Sequence, residues 1–89
     1  MRYRVELTKS AQRQLDVLPD KVAVRVARRL LELADDPRPR GAIKLSGTAA
    51  PLWRIRVGDL RVIYSVSDPS RMVLVERIAG RGQRTYEAL

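Results

Sequence analysis

The chain has 89 residues, 45 % of them apolar and 31 % charged, and 18 Lys+Arg against 10 Asp+Glu leave a net charge of +8. That length predicts one domain spanning residues 1–89, with a small core and modest stability. Cysteine and histidine are both missing from the sequence, which excludes disulfides, zinc knuckles, thiol nucleophiles, Ser–His relays and paired-histidine ribonuclease chemistry. No run approaches the ~20 apolar residues of a membrane span, and the start MRYRVELTKS lacks the apolar centre of a signal peptide, so the expectation is a soluble, cytoplasmic protein. All the cations except Lys9, Lys21 and Lys44 are arginines. The planar guanidinium fork matches phosphate oxygens, so this bias points to an anionic partner such as nucleic acid or an acidic protein.

Arg2 to Leu7 alternates long polar and apolar side chains, the period of a half-buried strand. Thr8 is placed to cap a first helix, in which Ala11, Leu15 and Leu18 make an apolar stripe. Pro19 ends that helix, and Asp20 is expected to cap the next. From Lys21 to about Ala34, Val22, Val26, Leu30 and Leu33 share one face, flanked by Ala23 and Ala27, with Arg25, Arg28, Arg29 and Glu32 around the rest. The stretch from Asp35 to Gly41 holds two prolines and a glycine and reads as a stiff loop. Ala42 to Leu45 is a candidate short strand, and Ser46 to Pro51 a loop. Leu52 to Val57 alternates, Gly58-Asp59 makes a two-residue hairpin turn, and Leu60 to Ser67 alternates again. After a turn at 68–71, Met72 to Ala79 is the last clear strand, Gly80 to Arg84 a loop, and Thr85 to Leu89 a short tail. The expected fold is α+β: an N-terminal strand and a helical hairpin packed on a twisted antiparallel sheet, in the order β-α-α-β-β-β.

With Gly58-Asp59 as the turn, Val57 pairs with Leu60, Arg56 with Arg61, Ile55 with Val62 and Arg54 with Ile63. Trp53, Ile55, Val57, Leu60, Val62, Tyr64 and Val66 then form a core face, and Arg54, Arg56 and Arg61 share the opposite one. Arg54 and Arg56 stand roughly 6.6 Å apart along their strand. Arg56 faces Arg61 directly, where like charges are destabilising unless something neutralises them. A wet face accounts for isolated arginines. Three convergent ones suit an anion, phosphate above all. Arg81 and Arg84 lie in the loop that follows the last strand, where Gly80 and Gly82 permit close approach of a ligand or another chain, with Tyr86 just beyond. By residue type Tyr86 is a packing aromatic or, amid arginines that stabilise a phenolate, a base.

The run Lys44-Leu45-Ser46-Gly47, then Leu52-Trp53-Arg54-Ile55-Arg56-Val57-Gly58-Asp59-Leu60-Arg61-Val62-Ile63-Tyr64, resembles the RelE/ParE superfamily of bacterial toxin–antitoxin toxins over nearly the whole chain. The resemblance implies two N-terminal helices on an antiparallel sheet. In the RelE branch it implies a ribosome-dependent endoribonuclease, and in the ParE branch an inhibitor of DNA gyrase that cuts no RNA. Carried over residue by residue, Arg61 matches the arginine that stabilises charge on the scissile phosphate, and Arg54 and Arg56 match two phosphate-holding basic positions. Arg81 matches the arginine implicated as general acid, with Arg84 the alternative holder of that place and otherwise a phosphate ligand. Tyr86 matches the tyrosine proposed as general base. The pattern departs at Gly80, where the family usually has a basic residue or histidine.

Cleavage by a neighbouring 2′-hydroxyl requires in-line positioning, a base, an acid and cations, all within reach of Arg and Tyr without a metal or cofactor. The implied partners are the ribosome, its messenger RNA and an acidic antitoxin. A gyrase-binding toxin and a catalytically degenerate binding module are the competing readings.

Overall fold

The alternation at the start of the chain yields strand β1, Arg4–Leu7, with Tyr3, Val5 and Leu7 packed toward the interior. The computed structural model describes residues 2–45, 47 and 51–80. Thr8 is extended and caps α1, Lys9–Asp16, its Oγ1 accepting from the Ala11 N–H at 3.1 Å. Helix α2 covers Asp20–Asp35. Its N-cap is Pro19 rather than Asp20, and no side chain supplies the capping bond. Proline fits because its missing N–H is one that a helix start leaves unpaired, while its carbonyl accepts from the Ala23 N–H at 2.9 Å. Asp20 falls one position later, in the first turn, where its charge meets the positive end of the helix dipole.

Four strands follow: β2 (Ile43–Leu45), β3 (Leu52–Val57), β4 (Leu60–Ser67) and β5 (Met72–Gly80). The candidate strand at 42–45 is therefore real, and one strand more follows the helices than the expected element order contained. The sheet order is β1-β5-β4-β3-β2. It is mixed, not wholly antiparallel, because β1 runs parallel to β5, with Val5 opposite Val73 and Leu7 opposite Val75. Side-chain alternation fixes which face of β1 is buried but carries no information on strand direction. A parallel pair needs a long crossover, and the chain from α1 to β4 supplies it.

Both helices lie on one face. Ala11, Leu18, Val26, Leu30 and Leu33 close on Ile55, Val57, Leu60, Val62, Tyr64, Val73, Val75 and Ile78 to form the core. Tyr64 is fully buried, and its hydroxyl donates to the Pro37 carbonyl at 2.8 Å, tying the loop after α2 to the sheet. Burial pushes the Tyr64 phenol up to about 12, against a smaller opposing pull from Arg29 and Arg38. At the same end, the Asp68 carboxylate accepts from the Tyr3 hydroxyl at 2.5 Å and from both Arg38 Nη atoms at 3.2 and 2.9 Å. The Arg38 guanidinium also sits 5.6 Å above the Trp53 ring. Among the described residues, no helix is long and apolar enough to cross a membrane.

Strand β5 is interrupted. Tyr64 pairs with Val75 but Ile63 pairs with Arg77, so Glu76 is an extra residue in a bulge. The edge of β5 beyond the end of β1 is served by α1 and its cap: the Glu76 carbonyl accepts from Thr8 Oγ1 at 3.3 Å, and the Ile78 N–H donates to Gln14 Oε1 at 2.6 Å.

Candidate nucleic-acid interface

The hairpin forms in the expected register, with Val57 opposite Leu60, Arg56 opposite Arg61, Ile55 opposite Val62 and Arg54 opposite Ile63. Gly58 has φ +60°, and Asp59 is not among the positive-φ residues, the sign pattern of a type II′ turn with glycine at its first central position. This turn suits the twist of the flanking strands and so locks the pairing. Ile55, Val57, Leu60, Val62 and Tyr64 are buried under the helices, which turns Arg54, Arg56 and Arg61 to the sheet's other face. No described helix lies on that face.

The bulge adds a fourth arginine. Ile63 is opposite Arg77, so Arg77 joins the same face as Arg54. Two adjacent rows across the sheet then read Ile43–Arg54–Ile63–Arg77 and Arg56–Arg61–Ala79, with no carboxylate in either. Arg54 and Arg77 are two strand spacings apart, about 10 Å. Sequence reasoning did not single out Arg77. Strict alternation after Val73 and Val75 would send residue 77 into the core, and the signal was the pair of polar residues, Glu76-Arg77, that breaks it.

Four ion pairs form among the described residues, Arg2–Asp35, Arg4–Glu6, Arg29–Glu32 and Arg38–Asp68, and none uses an arginine of this cluster. Arg56 and Arg77 are exposed, while Arg54 and Arg61 are partly buried. The Arg54 Nε is fully enclosed and has no hydrogen-bond acceptor. A hollow of about 20 Å³ beside the turn is lined by Arg56, Gly58, Asp59, Leu60 and Arg61. That volume is close to one water molecule, so the surface suits phosphate oxygens on an extended strand rather than an enclosed small molecule. No group of three or more His, Cys, Asp or Glu side chains among the described residues is placed to hold a metal ion. The predicted residues Arg81, Arg84 and Tyr86 lie outside the described residues. Strand β5 carries the chain to this end of the sheet, where Gly80 pairs with Leu60 and Ala79 with Arg61.

A family model described as the ParE toxin of the type II toxin–antitoxin system parDE matches residues 5–85. The chain belongs to this toxin family. Among solved structures, the toxin is similar to a chain of the archaeal RelE–RelB complex from Pyrococcus horikoshii, 36 % identical with a TM-score of 0.81, covering 93 % of this chain and 99 % of that one. It is also similar to a chain of the RelBE2 toxin–antitoxin complex from Mycobacterium tuberculosis, 27 % identical with a TM-score of 0.81, covering 91 % and 93 %. A chain of the intact RelBE complex from E. coli, 24 % identical with a TM-score of 0.77 over 92 % and 99 %, shares the fold. No curated protein matches the chain. The toxin is thus of the RelE/ParE kind, with RelE chains among its structural neighbours.

Proposed function

We propose that this toxin is a ribosome-dependent endoribonuclease that cleaves messenger RNA by attack of the ribose 2′-hydroxyl on the adjacent phosphorus. The observation that carries this reading is the meeting of Arg54, Arg56, Arg61 and Arg77 on one sheet face with no carboxylate in the same two rows. In the reaction the 2′-oxygen forms a bond to phosphorus and the 5′-oxygen departs, leaving a 2′,3′-cyclic phosphate and a free 5′-hydroxyl. The proton of the 2′-hydroxyl passes to a base, and the leaving oxygen takes one from an acid. By resemblance these roles fall to Tyr86 as base and Arg81 as acid, with Arg84 the other claimant to the acid's place. Arg61 stabilises the charge that grows on the non-bridging oxygens, and Arg54 and Arg56 hold neighbouring phosphates, each as a preorganised donor. The ribosome supplies much of the in-line alignment by gripping the message, which suits a shallow surface.

The similar RelE chains occur in complexes with RelB. By analogy the partner of this toxin is an acidic antitoxin segment whose carboxylates neutralise the arginine face and abolish cleavage. A second reading has its own support, since the matching family model is that of ParE. On that reading the target is DNA gyrase and the arginines are surface charge. Primer extension on cellular messages during induced expression separates the two. Discrete cuts inside translated codons are expected, whereas intact messages accompanied by a DNA-damage response would establish the gyrase reading.

A further inference from the structure

Helix α2 carries a second group of arginines. Arg25, Arg28 and Arg29 are spaced i, i+3 and i+4 and so share one side of the helix, where like charges repel. Arg29 is paired with Glu32, while Arg25 and Arg28 enter none of the ion pairs among the described residues. The Arg25 guanidinium reaches the β3–β4 turn: a Cβ at Gly58 would lie 3.6 Å from both of its Nη atoms. A hollow of about 210 Å³ is lined by Arg25, Arg28, Arg29 and Val57. A neighbouring one of about 170 Å³ runs from Val22 and Arg25 to Gly58, Asp59 and Leu60. These last three residues also line the small hollow between Arg56 and Arg61. The three depressions therefore share walls: Arg25 and Val57 border the first two, and the turn residues Gly58, Asp59 and Leu60 border the last two, so that they follow one another from the side of α2, around the turn, to the arginine face of the sheet.

We infer that this path is a second RNA-backbone site, in which Arg25 and Arg28 hold phosphates of a strand that continues around the β3–β4 turn from the Arg56–Arg61 face. The inference rests on the ribonuclease reading and extends its RNA-binding surface beyond the site of cleavage. A phosphodiester strand fits because it presents regularly spaced anions along a curved path, and each guanidinium can fork onto one phosphate. Among the described residues, Asp59, at the turn, is the single carboxylate that lines the hollows, and it opposes a phosphate there. Removing it should therefore act in the opposite direction to removing the arginines. The strand's source is either the message or ribosomal RNA, since both offer the same backbone.

The test measures binding of a 2′-O-methyl RNA oligomer and, separately, of purified ribosomes, across a salt series. For Arg25→Gln/Arg28→Gln the slope of log affinity against log salt should shrink by about 1.4, at roughly 0.7 for each phosphate of a single strand that is no longer neutralised. Asp59→Asn should bind about two-fold more tightly. A smaller slope in both arms assigns the site to the message strand, and a smaller slope with ribosomes alone assigns it to ribosomal RNA. Unchanged slopes in both arms overturn the inference, as does a weakening confined to antitoxin binding, which would make the surface a protein site. Primer extension keeps the two ideas apart. If wild-type toxin cuts messages while the double variant keeps its slopes, only this inference fails. If the slopes shrink but no message is cut, the site stands and the ribonuclease reading falls.

Discussion

Arg61 stands directly opposite Arg56 across the β3–β4 pair, an arrangement that costs roughly 0.2–1 kcal/mol when nothing neutralises it. A small domain carries such a cost when the charge is needed elsewhere. Arg61→Ala should therefore fold normally and yet lose toxicity, because one preorganised donor to a developing anion is worth about 3–4 kcal/mol, a rate factor of several hundred. The check is growth after induction, together with primer extension, using variant shown to be soluble and folded. Continued growth arrest by such a protein would remove Arg61 from the chemistry. Arg56→Thr tests the strain itself: relieving the repulsion should raise Tm by roughly 1–8 °C for a domain of this size, while weakening RNA binding. Residues 54, 56 and 61 were readable in the sequence because a two-residue turn fixes register and register fixes face. Residue type and loop glycines drew attention to Arg81, Arg84 and Tyr86, but their individual roles come from family resemblance, and all three lie outside the described residues.

Among the elements, β5 shows why Arg77 was not readable. Alternation is a rule of two, and the extra residue at Glu76 shifts everything after it by one, so Arg77 joins the arginine face and Ile78 the core. The backbone groups of β5 beyond the end of β1 are met by Thr8 and Gln14 of the first helix region, contacts between distant segments that no local pattern encodes. Arg77→Ala should leave stability nearly unchanged, since the side chain is exposed, and lower the salt slope of RNA binding by about 0.7. An unchanged slope would mean that Arg77 touches no phosphate. The loop after α2 and the β4–β5 turn meet at Asp68. Hydrogen bonds from Arg38, then from Tyr3, hold its carboxyl below the usual carboxylate range. A lowered folded-state value means that the unfolded chain takes up the proton first. The stabilisation is therefore complete above the ordinary value of ~4 and is lost as pH falls through it and then through the folded-state value. Wild type should melt above Asp68→Asn at neutral pH, and the gap should close on acidification. A gap that stays constant into acid would show that the carboxylate's charge plays no part.

Across the whole molecule, the sheet divides stability from the proposed activity. One face is roofed by α1 and α2 and holds the buried core, while the other displays the arginines. That two-layer α+β plan was legible because the helical and strand periods differ so clearly. The parallel β1–β5 pair was not, since it joins segments from opposite ends of the chain by contacts that leave no periodic trace. Tyr64 gives the test of this division. It is fully buried on β4, its strand neighbour Ile63 belongs to the arginine face, and its hydroxyl reaches the Pro37 carbonyl. Tyr64→Phe keeps the ring and removes the donor, leaving a carbonyl unpaired at a cost of about 1–3 kcal/mol. For a domain of this length each kcal/mol lowers Tm by roughly 4–8 °C, so the variant should melt well below wild type. At a temperature where both proteins are folded, its salt slope for RNA should equal that of wild type, because no charge has moved. Arg56→Thr should do the reverse, melting slightly higher with a smaller slope. If Tyr64→Phe flattens the slope while still folded, the two faces are not independent, and the loop held by Pro37 must take part in positioning the arginines.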